Sequence, residues 1–205
     1  MQKIDFKTEW KELYKPSKKE FSLVEVPILQ FLMVDGHGDP NTAPEYSEAV
    51  QALYAVSYKI KFLSKKEGKD YVVPPLEGLW WAEDMAAFRS ARDKNQWEWT
   101  MMIMTPEWVS EETYHAALEE VAQKKNLTGL KKVRWEEYFE GLCVQILHIG
   151  SYEDEGPVLA RMHDHFIPEN GFKMNGKHHE IYLSDPRRTE PEKLKTILRQ
   201  PVTKI

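Results

Sequence analysis

The chain runs through one order of segments twice, and that repetition constrains its fold more than any other feature. In the first pass an apolar run from Ile28 to Asp35 ends in the turn chemistry of Gly36-His37-Gly38-Asp39-Pro40, and an amphipathic stretch from Pro44 to about Lys65 follows. Ala49, Ala52, Leu53, Val56, Ile60 and Leu63 recur there at helical spacing, so the order reads strand, loop, helix. Leu76 to Trp81 and Gln96 to Thr105 read as two further strands, the second stopped by Pro106. Ser110-Glu111-Glu112 predicts a capped start for a helix running to about Lys125.

The second pass opens with a strand at Leu142 to Gly150, turns through Tyr152 to Gly156, and enters a helix from Pro157 to about Phe166. Strands at His179 to Ser184 and Leu194 to Val202 close it. Laying one pass on the other sets Gly78 to Glu83 against Glu180 to Asp185, and Trp99-Thr100-Met101-Met102 against Lys195-Thr196-Ile197-Leu198. The pattern predicts an α+β fold of duplicated β-α-β-β units with pseudo-two-fold symmetry and a central ligand cleft, because a groove between two packed units is a preferred place for ligands. The organisation expected is one domain, with an N-terminal arm over 1–25, a first half over 26–108, a connecting helix over 109–130 and a second half over 131–205.

Composition narrows the partners. With 41% hydrophobic and 12% aromatic residues the chain can build a sizeable core, and a net charge of −5 with scattered basic residues gives no footprint for nucleic acid. No apolar stretch approaches the roughly 20 residues of a membrane span, and the charged N-terminus lacks a signal-peptide core, so neither a membrane partner nor export is expected. The lone Cys143 excludes an internal disulfide and fits a cytoplasmic location.

Several strings carry a family resemblance: Leu32-Met33-Val34-Asp35-Gly36-His37-Gly38-Asp39-Pro40-Asn41, Pro75-Leu76-Glu77-Gly78-Leu79-Trp80-Trp81, Ile146-Leu147-His148-Ile149-Gly150, and the run from His178 to Arg188 with Glu180-Ile181-Tyr182-Leu183 at its centre. They resemble the GyrI-like small-molecule-binding family, the effector-binding fold of AraC-type and multidrug-responsive regulators. The resemblance implies two β-α-β-β units around a cleft. Regulators of that kind carry a helix-turn-helix, whereas about 25 residues precede the first core strand here, too few for such a module. The Leu-Glu-Gly-Leu-Trp-Trp and His-His-Glu-Ile-Tyr-Leu strings are similar to stand-alone members that open the strained ring of cyclopropane-bearing DNA-alkylating natural products. That implies a protective hydrolase, or a module that sequesters or senses planar aromatic molecules, cationic ones included. The family name alone suggests a third class, a topoisomerase-interacting protein.

In a strand Glu180 and Tyr182 share one face. Two uses of such a carboxylate stay open: a charge partner for a cationic aromatic ligand, or a base that positions water, with Tyr182 or another cleft phenol such as Tyr58 donating to the oxygen that receives the electrons. The plain alternative is a solvated carboxylate or a partner for Arg187 or Arg188. Trp80, Trp97 and Trp99 are candidate walls for a flat ligand, against the alternative of core packing. Met33 and His148, within the resembling strings, are further candidates to line the cleft. Glu77 is a weaker second carboxylate, because Gly78 is what aligns with Glu180, and a glycine there is expected to leave room for a guest.

Other signals carry no chemistry. Gly171 to His178 follows the phosphate-loop pattern except at its last position and leads into a strand instead of a helix. His163 and His165 cannot share a ligand face on a helix, adjacent His178 and His179 point oppositely on a strand, and no metal is expected. Cys143 lies in an apolar strand and reads as inert. No cofactor is implied.

Overall fold

A computed structural model describes residues 3–82 and 94–205. Its strands are β1 (Ser22–Val26), β2 (Leu29–His37), β3 (Leu76–Trp81), β4 (Glu98–Thr105), β5 (Arg134–Tyr138), β6 (Gly141–Ile149), β7 (Phe172–Met174), β8 (His178–Tyr182) and β9 (Lys195–Lys204). Its helices are α1 (Phe6–Glu9), α2 (Lys11–Tyr14), α3 (Pro44–Lys66), α4 (Glu111–Lys124), α5 (Gly156–Ala160) and α6 (Ile167–Glu169), with a π-helical turn, Arg161–Phe166, between the last two. The main path of the sheet is β1-β6-β9-β8-β3-β4-β2-β5, and β7 pairs with β9 beside it.

That order is symmetric about its middle. β3 and β8 lie side by side, and moving outward β4 matches β9, β2 matches β6, and β5 matches β1. The fold is therefore the expected α+β pair of β-α-β-β units, with one addition. β1 precedes β2 in the chain yet pairs with β6, while β5 precedes β6 yet pairs with β2. Each half closes the outer edge of the other. Neither strand is legible in the sequence, because both are short edge strands broken by charge, Glu25 in one and Arg134, Glu136 and Glu137 in the other, a common defence of exposed edges.

The ladders also correct the internal alignment. Gly78 pairs with Glu180 across β3 and β8, so the two aligned residues face each other at the axis. Gly78 pairs in turn with Met101 and Glu180 with Leu198, which makes Met101 the counterpart of Leu198 and shifts the second sequence alignment by one residue. These strands are buried on both faces, so no alternation of polar and apolar residues marks the register. Glu83 lies outside the described residues.

Two separate coverings shield the front of the sheet. Over β2, β4 and β3, helix α3 sets Ala49, Ala52, Leu53, Val56 and Ile60 against Leu32, Val34, Trp99, Met101 and Ile103. Pro44 opens α3 at a position that needs no amide hydrogen, and Ser110 caps α4 by accepting from the Thr113 amide. Over β6 and β9, Met162, Ile167 and Phe172 pack on Val144, Ile146 and Leu198. Among the described residues, these coverings form two separate clusters on either side of the β3–β8 pair.

The back of the sheet is covered by the N-terminal arm, whose Phe6, Leu13 and Tyr14 meet Met33, Leu79, Met102, Met104, Ile181 and Ile197. Beneath it lies a buried polar chain. The Tyr14 hydroxyl donates to Glu77 at 3.2 Å, and Glu77 lies 2.9 Å from His179 Nε2, close but off the line of a directed hydrogen bond. His179 Nδ1 is 3.0 Å from Glu140, and Glu140 accepts from Arg199 at 3.3 Å. Arg199 and Gln145 also donate to the Leu13 and Glu12 carbonyls at 2.7 and 2.6 Å, serving acceptors that the short helix α2 leaves open. Among the described residues, no helix is long and apolar enough to cross a membrane.

Burial alone disfavours a charged imidazole, but Glu140 and Glu77 outweigh it and raise the pKa of His179 from 6.5 to about 9. Burial also opposes ionisation of Glu140, and His179 and Arg199 reverse this, bringing it from 4.5 to about 2. The raised imidazole stabilises the fold fully below pH 6.5 and loses its contribution as pH rises to about 9, while the depressed carboxyl contributes fully above pH 4.5 and fades toward pH 2. Thermal unfolding should therefore show a melting temperature that falls between pH 6.5 and about 9. His179→Gln should remove about 3–5 kcal/mol near pH 6 and flatten that alkaline decline, since it leaves buried carboxylates unmatched.

Candidate functional site

The site lies at the pseudo-axis, on the front of β3 and β8, between the two helical coverings. Strand alternation puts Leu76, Gly78 and Trp80 on this face and pairs them with Tyr182, Glu180 and His178. Trp80 and Tyr182 are symmetry counterparts and lean toward each other over Gly78. The indole Nε1 donates to the Tyr182 hydroxyl at 2.9 Å, and that hydroxyl donates to Glu180 Oε2 at 2.7 Å. The phenol has one proton, and it is committed to the carboxylate.

Gly78 permits this arrangement. A Cβ there would lie 2.8 Å from Trp80 Nε1 and 3.1 Å from the Tyr182 hydroxyl, so the room expected for a guest is already filled by the two rings' polar tips. Glu180 itself is only 13% exposed at its side chain, with Oε1 lying 3.6 Å from His178 Nε2. Arg187 and Arg188 pair with Asp185 instead of Glu180, which removes the plain alternative for this carboxylate.

Aromatic rings surround the carboxylate. Tyr46 of α3 stacks on Trp80 with centroids 6.3 Å apart and meets Trp99 edge-on at 5.4 Å, while Trp97 meets Trp80 edge-on at 5.7 Å. From the other half, Tyr152 meets Tyr182 edge-on at 5.8 Å. Burial and then the Glu180 charge raise the pKa values of Tyr182, Tyr46 and Tyr152, the last to about 12, so all three phenols keep their protons at neutral pH. Tyr54 stands about two turns further along α3, 6.3 Å from the half-exposed ring of Tyr58. Sequence reasoning missed Tyr46, Tyr54 and Tyr152. The signal for the first two was the spacing of Tyr46, Tyr54 and Tyr58 by eight and then four residues beside the apolar stripe of α3.

The remaining expected residues divide by face and depth. Trp97 is half-buried against Trp80, whereas Trp99 is fully buried, its ring filling the space over Gly36 where a Cβ would come within 2.0 Å. His148 lies on the front face two strands from Tyr182, but its Nε2 is 3.1 Å from the Ser151 carbonyl, so it pins the turn that carries Tyr152. Met33 and Glu77 are corrected. Both lie on the back face, because strand alternation turns them opposite to Val34 and Gly78, and there Met33 is core and Glu77 belongs to the buried polar chain. Among the described residues, no group of three His, Cys, Asp or Glu side chains is placed to hold a metal ion.

The model of the GyrI-like small molecule binding domain matches residues 19–203. The chain belongs to this family. Three solved Listeria innocua structures share its length, with alignments covering 98% of this chain and 100% of each of them. An uncharacterized conserved protein is 43% identical with a TM-score of 0.90, and two hydrolases are 42% and 43% identical with TM-scores of 0.85 and 0.87. The C-terminal domain of EcmrR, at 12% identity, a TM-score of 0.56 and coverage of 91% and 98%, shares the fold alone. Among curated proteins, none matches the chain. As a GyrI-like domain the protein binds small molecules.

The Gly78 contacts make a direct prediction. Gly78→Ala should break the Trp80–Tyr182 hydrogen bond, destabilise the fold by about 1–3 kcal/mol and change tryptophan emission, whereas Tyr182→Phe should preserve the packing and free Glu180. Denaturant unfolding followed by fluorescence checks both.

Proposed function

We propose that this GyrI-like protein takes planar aromatic molecules into the cleft above β3 and β8 and hydrolyses those bearing a strained cyclopropane conjugated to a carbonyl. The observation that carries this reading is the largely buried Glu180, held at one oxygen by Tyr182 and walled by aromatic rings. Such a carboxylate can hold a water in line with an electrophilic ring carbon, and the rings give a flat guest area and stacking. The neighbouring Listeria innocua hydrolases, at over 40% identity, favour chemistry over mere sequestration.

In this reading the roles differ from those the strand pattern alone suggests. Tyr182 gives its proton to Glu180, so it orients the base and is not the donor to the substrate oxygen. Tyr152, more exposed and beside Tyr182, takes that part, and half-exposed Tyr58 stands beside Tyr54 on α3. Water adds to the ring carbon, the strained C–C bond breaks, and its electrons reach the conjugated carbonyl oxygen, which is protonated by Tyr152. General-base help of this kind is typically worth about 10²–10⁴-fold, and ring strain supplies much of the remaining drive.

Glu180→Gln should lower turnover of a spirocyclopropane-cyclohexadienone fused to an aromatic ring by about 10²-fold or more, with binding of the neutral compound retained. Absorbance of the dienone gives the rate and tryptophan quenching gives the affinity. A wild-type protein that binds planar dyes yet leaves the dienone decaying at its buffer rate would leave a binding module, and a preferential loss of cationic dyes in Glu180→Gln would then mark the carboxylate as a charge partner.

A further inference from the structure

Glu180 has a histidine on its other side. β8 alternates His178, Glu180 and Tyr182 on the front face, so the carboxylate is flanked two residues back by an imidazole and two residues on by a phenol. Tyr182 occupies Oε2 at 2.7 Å, and His178 Nε2 lies 3.6 Å from Oε1 with its side chain 0% exposed. That distance exceeds a hydrogen bond, and a small swing of the carboxylate or one bridging water closes it.

Behind His178 stands a second imidazole. His163 meets it edge-on, with centroids 5.9 Å apart and an interplanar angle of 81°. His163 sits in the π-helical turn Arg161–Phe166, a rare geometry that admits an extra residue per turn and is common at functional sites. Within this turn Met162 and His163 are buried, while His165 faces outward to Glu169 at 3.7 Å. The same face includes Glu155, on the turn carrying Tyr152, whose charge acts on both Tyr152 and Tyr182. Glu180 thus neighbours His178, and His178 neighbours His163.

We propose that His178 is the proton-relay and positioning partner of Glu180, backed by His163. The inference rests on the hydrolytic reading above. As the water oxygen bonds to the ring carbon and the strained C–C bond breaks, the water proton passes to Glu180 Oε1 and then to His178 Nε2. The released electron pair settles on the conjugated carbonyl oxygen, which takes the Tyr152 proton, and the imidazolium returns its proton by way of Glu180 and solvent to the Tyr152 phenolate. The net reaction adds one water across one C–C bond. A neutral imidazole suits this part, because it accepts at one nitrogen and can donate from the other.

The test compares wild type with His178→Gln and His178→Asn on the spirocyclopropane-cyclohexadienone probe. The expected result is a loss of kcat by about 10-fold or more with KM within twofold, and a changed shape of the kcat/KM pH profile. A merely structural histidine would scale the whole pH profile or raise KM, and either outcome overturns the relay while leaving the hydrolytic reading intact. A wild-type protein without turnover removes the hydrolytic reading and the relay together. A second measurement needs neither turnover nor a His178 variant: imidazole NMR should show the His178 ring-nitrogen chemical shifts changing in Glu180→Gln, and unchanged shifts overturn the pairing.

Discussion

The antiparallel pairing of β3 with β8 is the contact on which the rest of the structure depends. It places Gly78 opposite Glu180 at the pseudo-axis and puts two symmetry-related aromatic residues, Trp80 and Tyr182, within one hydrogen bond of each other. A duplicated unit would put like against like here. This chain instead has a glycine in one copy and a carboxylate in the other, so the asymmetry at the axis creates the chemistry. The glycine admits the two polar tips, and those tips hold one carboxylate oxygen.

The same two strands join an aromatic face to a sealed, charged one. In front lie aromatic rings and one exposed edge of a carboxylate; behind lie Glu77, His179, Glu140 and Arg199, sealed by the N-terminal arm. Two carboxylates there face an imidazole and a guanidinium, which offsets the cost of burying such groups out of water. Adjacent residues of β8 therefore have opposite duties: Glu180 reaches the cleft with buried His178 beside it on the same face, while His179 ties β8 to β3 and to the Glu140 segment. The exchange of β1 and β5 between halves adds a second tie, since separating the halves breaks both outer edges as well as the centre.

Much of this was legible in residues alone. The apolar spacing of α3, the strand at Leu76 to Trp81 and the cap at Ser110 match the structure closely, because hydrophobic periodicity and capping are local. Edge strands β1 and β5 were hidden by their charges, and the turn at Arg161–Phe166 read as ordinary helix because a π turn leaves no composition signal. The register of β9 slipped by one residue for want of alternation on a strand buried on both sides. Glu77 and Met33 were expected at the cleft from the strings they belong to, and alternation turned both away.

The order of elements, the shared face of Glu180 and Tyr182 and the equivalence of Gly78 with Glu180 were determined by the sequence itself, through periods of two and of about 3.6 residues that any chain must obey. Which carboxylate faces a ligand and which is buried in an ionic chain was decided only by tertiary structure. Glu77 and Glu180 look alike in one dimension. The physical difference is what packs over each: an N-terminal arm that buries Glu77 and gives it the Tyr14 hydroxyl, and, among the described residues, two separate helical coverings between which Glu180 keeps a small exposure among aromatic rings.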